Sequence, residues 1–274
     1  MDTKVILVKQ DLTYLNWTKT RNSSGTAGSF LKAYDDLGEK KLYYKLSNFN
    51  VVDGIIGHEA VNEIIVDRLL SYLNIDHLHY QLVHADVNID NKVYDTYVCV
   101  SEDFKEKGES KLALDAYYDS LKDPTDTPLS FCKRMGWSRY IYTMLVVDFL
   151  ILNRDRHGAN IEVLRNKRKK NLRLAPLFDH GLSLLFNCMS EQSVQAFDVM
   201  EDKPVQCFVG GRSTYTNLEL IPENELPRLK PLTEATKNML FEDLGQILTE
   251  SLQNKIWELL WRRWQYYENF CSTR

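Results

Sequence analysis

Little in this sequence marks a fibrous, disulfide-stapled or membrane-spanning protein. Only 7 of its 274 residues are proline and 12 are glycine, too few for a collagen-like or linker-like tract. The five cysteines, Cys99, Cys132, Cys188, Cys207 and Cys271, are odd in number and widely spaced. That excludes a disulfide framework and a cysteine-based zinc pattern. It implies a reducing compartment, the cytosol by default, with export by a non-classical route left open. No apolar run reaches membrane-spanning length, and residues 1–5 lack the basic and apolar blocks of a signal peptide. Positive charge is not in excess: 34 Lys and Arg against 38 Asp and Glu leave a net charge of -4. This argues against direct nucleic-acid binding through bulk charge. Internal repeats are absent too.

What remains is an ordinary globular composition, 44% apolar and 26% charged, on a chain long enough to bury a sizeable core. Val5 to Val8, Lys41 to Leu46, Tyr80 to Val83 and Val93 to Val100 read as strands. Between them, Val61, Ile64, Ile65, Leu69 and Leu73 recur at helical intervals, predicting a helix over Glu59–Leu73 with Asn74 as its C-cap. Beyond residue 100 the pattern becomes mainly helical. Ser138 is the expected cap of a long buried helix carrying Ile141, Met144, Leu145, Phe149 and Leu152. Two helices are expected between Glu234 and Phe270. On the second, Trp257, Trp261 and Trp264 share one face, which reads as core packing before an aromatic binding surface. The expectation is an α+β chain in two lobes: a small β-rich one (1–100) with one helix, and a larger, mainly helical one (101–274).

The segment richest in chemistry is Asn153-Arg154-Asp155-Arg156-His157-Gly158-Ala159-Asn160, a polar loop displayed directly after an apolar helix. A strand pattern (161–164), a basic turn and a return strand (172–178) follow, ending in Asp179-His180-Gly181. An antiparallel hairpin brings its outer ends together, so Asn160 and Asp179 should converge. An amide oxygen beside a carboxylate suits Mg²⁺. With Asp155 in the same loop, the set matches what phosphoryl transfer requires: a carboxylate for the acceptor hydroxyl and oxygen ligands for the metal. The bland alternative is an Asp-rich loop with ordinary turn chemistry. The basic turn from Arg165 to Arg173 reads as a solvated tip before a docking site for an acidic partner.

The run from Asn153 to Asn160 followed by Asp179 resembles the HipA-like bacterial serine/threonine kinases, whose fold is protein-kinase-like. Asp155-Arg156-His157 and Asp179-His180-Gly181 also resemble phosphoinositide kinases. The resemblance implies roles for further residues. Lys45, near a strand end, would hold the α- and β-phosphates of ATP, paired with Glu63 on the following helix. Glu59, one turn earlier, is the competing carboxylate. The small-residue run containing Ser23, Ser24, Gly25, Thr26 and Gly28 would cover the phosphates, with Ser23 or Ser24 as an autophosphorylation site. Taken alone, that run reads equally as a flexible turn. Glu102 and Phe104 lie on the hinge that would contact adenine and ribose.

The same resemblance implies Asp155 as the catalytic base, with His157 bracing its loop or touching phosphate. Asn160 and Asp179 would be ligands of Mg²⁺, with Mn²⁺ as an alternative. The substrate would be a protein with a Ser or Thr acceptor, and an antitoxin or regulatory partner is implied for the family. A phosphoinositide-type lipid kinase and a nucleotide-binding pseudokinase are the competing readings. Only about twenty residues precede the phosphate-loop run, fewer than in HipA-like toxins, so the compact, CtkA-type members are the better match.

Overall fold

Alternation of buried and part-exposed residues along Tyr80–Ile89 is what a strand covered mainly on one face produces. The computed structural model describes residues 2–18, 30–36, 38 and 40–274. In chain order its strands are β1 (Lys4–Asp11), β2 (Lys32–Asp35), β3 (Leu42–Lys45), β4 (Asn48–Asn50), β5 (Gly54–Ile56), β6 (Tyr80–Ile89), β7 (Lys92–Glu102), β8 (Ser110–Ala113), β9 (Asp155–Arg156), β10 (Glu162–Asn166), β11 (Asn171–Leu174) and β12 (Gln206–Cys207). The helices are α1 (Glu59–Leu73), α2 (Leu114–Leu121), α3 (Pro128–Arg134), α4 (Ser138–Leu150), α5 (Glu191–Ala196), α6 (Thr214–Leu218), α7 (Glu234–Leu240) and α8 (Glu250–Thr273).

The main sheet has the order β1-β6-β7-β3-β2; β1 and β6 run parallel, while β6–β7, β7–β3 and β3–β2 are antiparallel. Asp90 and Asn91, both at positive φ (52° and 63°), make the tight turn of the β6–β7 hairpin. Helix α1 covers one face of the sheet: Ile64, Ile65 and Leu69 share a buried cluster with Leu82 and Cys99. The opposite face has its own smaller core, including Leu46, Val83, Val87 and Val98. α1 ends where expected, at Asn74, a left-handed C-cap (φ 58°) whose N–H bonds the last helical turn. This sheet and α1 form the small lobe. The larger lobe is mainly helical, and α4 is its buried axis.

Three local expectations are adjusted. Ser138 is the first helical residue rather than the cap; Trp137 occupies the cap position with no side-chain bond. The return strand stops at Leu174, because Pro176 has no N–H to donate. From there the chain turns to the loop before β6, where Leu78 N–H donates to Leu177 O at 2.8 Å. A third strand, β8, also joins the β10–β11 hairpin. Trp257, Trp261 and Trp264 meet in tilted ring pairs, with centroids 5.7 and 5.2 Å apart, and pack on the core. Among the described residues, no helix is long and apolar enough to cross a membrane.

Candidate active site

Lys45 is the last residue of β3, and its ammonium enters a cleft of about 310 Å³ lined also by Glu63, Tyr80, Glu102, Phe104 and Asp179. Its Nζ lies 3.1 Å from Glu63 Oε1 and is also paired with Asp179 Oδ1. Burial pulls the ammonium toward deprotonation, but the Asp179 and Glu63 carboxylates outweigh it and hold its pKa above the usual lysine value. Lys45 is therefore a fixed cation at neutral pH. Glu59, the competing carboxylate, accepts instead from the Asn48 N–H at 3.3 Å.

Helix α1 also grips the backbone after Asp179. Glu63 Oε2 accepts from His180 N–H (2.9 Å) and Glu63 Oε1 from Gly181 N–H (3.1 Å). Asn62 Nδ2 donates to the carbonyls of Gly181 (3.1 Å) and Ser183 (2.9 Å). Asp179 itself sits at φ 59°, a left-handed conformation that Asp tolerates better than most residues. Its N–H donates to the Tyr80 hydroxyl at 3.3 Å. Just before it, the Phe178 ring packs on Phe104, with centroids 5.5 Å apart.

The Asp155 loop is held by a separate set of contacts. Asn153 Nδ2 donates to Asp148 Oδ1 (2.8 Å), and its own Oδ1 accepts from Asp155 N–H (3.2 Å). Asn160 Nδ2 donates to the Asp155 carbonyl at 2.8 Å. His157 Nδ1 accepts from Ala159 N–H at 3.2 Å, bracing the turn Gly158–Asn160. Its Nε2 is 3.6 Å from Asp155 Oδ2, beyond direct hydrogen-bond range. Asp155 is part-exposed, and among the described residues no cation lies within hydrogen-bond distance of its carboxylate.

Arg156 joins the two halves of the site. Its guanidinium grips Asp148 of α4 twice, at 2.9 Å each, and Nη1 donates to the carbonyls of Asn160 (3.2 Å) and Phe178 (2.9 Å). One buried side chain thus ties α4, the Asp155 loop and the residue before Asp179 together.

No protein-family model and no curated protein sequence matches the chain. Among solved structures it is similar to a crystal structure of CtkA, a proinflammatory kinase of Helicobacter pylori, at 14% identity and a TM-score of 0.63. The match covers 97% of this chain and 98% of that one. The chain has a kinase-like fold.

On that fold, Lys45, Glu63 and Asp179 meet directly in the cleft, and Glu102 and Phe104 line it. Asp155, His157 and Asn160 cluster on the adjoining loop. Ser23, Ser24, Gly25, Thr26 and Gly28 lie outside the described residues. Sequence reading missed Tyr80, Asn62 and the Asp148–Arg156 clamp. One signal was available: Asp148 is a lone carboxylate among Val146, Val147, Phe149 and Leu150, and a buried charge needs a partner.

Proposed function

We propose that this chain is an ATP- and Mg²⁺-dependent protein kinase of the HipA-like type, transferring the γ-phosphate to Ser or Thr hydroxyls and able to phosphorylate itself. The observation that carries the reading is Lys45 held between Glu63 and Asp179 in the cleft, beside a loop that presents Asp155 and Asn160. A positive charge fixed by carboxylates suits phosphate oxygens. In this reading Lys45 binds the α- and β-phosphates, and Glu63 sets its position. Glu102 and Phe104 border the nucleoside end. Asn160 and Asp179 would hold Mg²⁺ through their hard oxygen donors, and the ion would supply positive charge toward the transferring group. Asp155 orients the acceptor hydroxyl and receives its proton, while His157 positions the Asp155 loop. Residues 1–100 and 101–274 would be the two lobes that close on ATP, in the cytosol.

The test is transfer of label from γ-labelled ATP with Mg²⁺ to the chain itself and to lysate proteins, against Asp179→Ala. Label above that variant supports the reading. Transfer to phosphoinositide vesicles but to no protein would make it a lipid kinase instead. ATP binding without transfer under any metal would make it a pseudokinase.

A further inference from the structure

Away from the cleft, the end of α1 and the approach to β6 bring three metal-ligating side chains together. Asp67 lies on α1, and His77 and His79 on the segment leading into β6. Asp67 Oδ1 is 2.8 Å from His77 Nε2 and 3.1 Å from His79 Nδ1, and the three ligand atoms all lie within 4.8 Å of one another.

Other contacts orient His77 and Asp67. His77 Nδ1 is 2.6 Å from the Ile75 carbonyl. A carbonyl only accepts, so Nδ1 carries a proton, and a neutral ring then presents its lone pair at Nε2. That lone pair faces the Asp67 carboxylate, and two acceptors face to face require positive charge between them. Asp67 Oδ2 already accepts from Tyr80 N–H (2.7 Å) and the Thr3 hydroxyl (2.9 Å), which leaves Oδ1 turned to the histidines. The Ser71 hydroxyl completes the surroundings, 3.3 Å from His77 Nε2 and 3.4 Å from Asp67 Oδ1. An imidazole oriented by a carbonyl and a carboxylate oriented by hydrogen bonds form the outer shell that metal-binding His and Asp usually carry.

We infer that Asp67, His77 and His79 form a site for a zinc-class divalent cation, separate from the cleft. Bonds of about 2.0–2.1 Å give a tetrahedron edges of about 3.3 Å, so seating the ion means opening the 2.8 and 3.1 Å edges slightly and bringing the two histidine nitrogens, within 4.8 Å of each other, to the same separation. Three protein ligands leave the fourth position to water, and His79, 47% exposed, opens the site to solvent. Two imidazoles favour Zn²⁺ over Mg²⁺. The ion would brace the loop that pairs with Leu177, two residues before Asp179.

The experiment is calorimetric titration of the untagged, chelator-treated full chain with ZnCl₂ in excess Mg²⁺, with circular dichroism to check each variant's fold. One equivalent should bind in the wild type and equally in Asp179→Ala. Binding should weaken by at least about a hundredfold, more than loss of an outer partner costs, in His79→Gln, whose half-exposed position tolerates the change. No binding at micromolar zinc overturns the inference. Binding unchanged in His79→Gln, or lost in Asp179→Ala, also overturns it.

Discussion

Lys45 shows how one charge organises the cleft: two carboxylates from distant parts of the chain turn toward it. Replacing it with Met removes the proposed phosphate contact and the cation between Glu63 and Asp179. Phosphotransfer should fall by about 10²–10³-fold, the scale for loss of a single preorganised charge, read as kcat by steady-state kinetics. His180 carries a different consequence. Burial and the nearby Arg156 charge push its imidazole pKa well below the ordinary value, so the folded ring stays neutral. The unfolded chain takes up that proton near pH 6.5, and the folded chain does not. Stability from this group is therefore present above about pH 6.5 and lost as pH falls, by up to about 1.4 kcal/mol per unit. Urea midpoints at pH 7 and 5.5 should differ less in His180→Phe than in the wild type; equal differences would remove His180 from the acid response.

Among elements, α2 packs tightly on the Asp155 loop. A Cβ on Gly158 would lie 2.5 Å from Asp115 Cβ and 2.9 Å from its backbone nitrogen, so the loop or the start of α2 would have to move. Gly158→Ala should lower kcat by about 10²-fold, as a displacement near 1 Å does, while ATP still binds with its usual Kd. The Asp148–Arg156 clamp joins α4 to that same loop. Asp148→Ala strands a buried guanidinium and should cost about 3–5 kcal/mol in urea unfolding. A loss under about 1 kcal/mol would mean that the clamp does not hold these elements together.

Across the whole molecule, the small lobe reaches the larger one through α1, by way of Asn62, Glu63 and the 180–183 backbone. α8 ties the far side: Arg263 is fully buried and donates to the carbonyls of Val199, Phe149 and Glu201. A nucleotide bridging both lobes should stabilise the assembly as a unit. With ATP and Mg²⁺ at a hundredfold their Kd, the gain should be about 2.7 kcal/mol. At the same concentrations Asp179→Ala should gain less, as read by thermal denaturation; equal gains would argue against Asp179 as a metal ligand.

The local pattern of this chain was legible in its residues. The apolar period from Val61 to Leu73, the Asn74 cap and the hairpin after Asn160 each depend on contacts a few residues apart, where spacing and turn chemistry dominate. The Asp155, Asn160 and Asp179 candidates could be named for the same reason: their residue types and spacing are local. What sequence left open was partnership. Lys45 could have met Glu59 or Glu63, and only the packing of α1 on the sheet turned Glu63 toward it. Glu63 meets the His180 backbone across 117 positions, and Tyr80 meets Asp179 across 99. Such contacts follow from how sheet and helices stack, because burial favours arrangements in which most enclosed charges and backbone N–H groups find a partner. The sequence by itself determined which residues could do chemistry, and the tertiary structure decided which of them face one another.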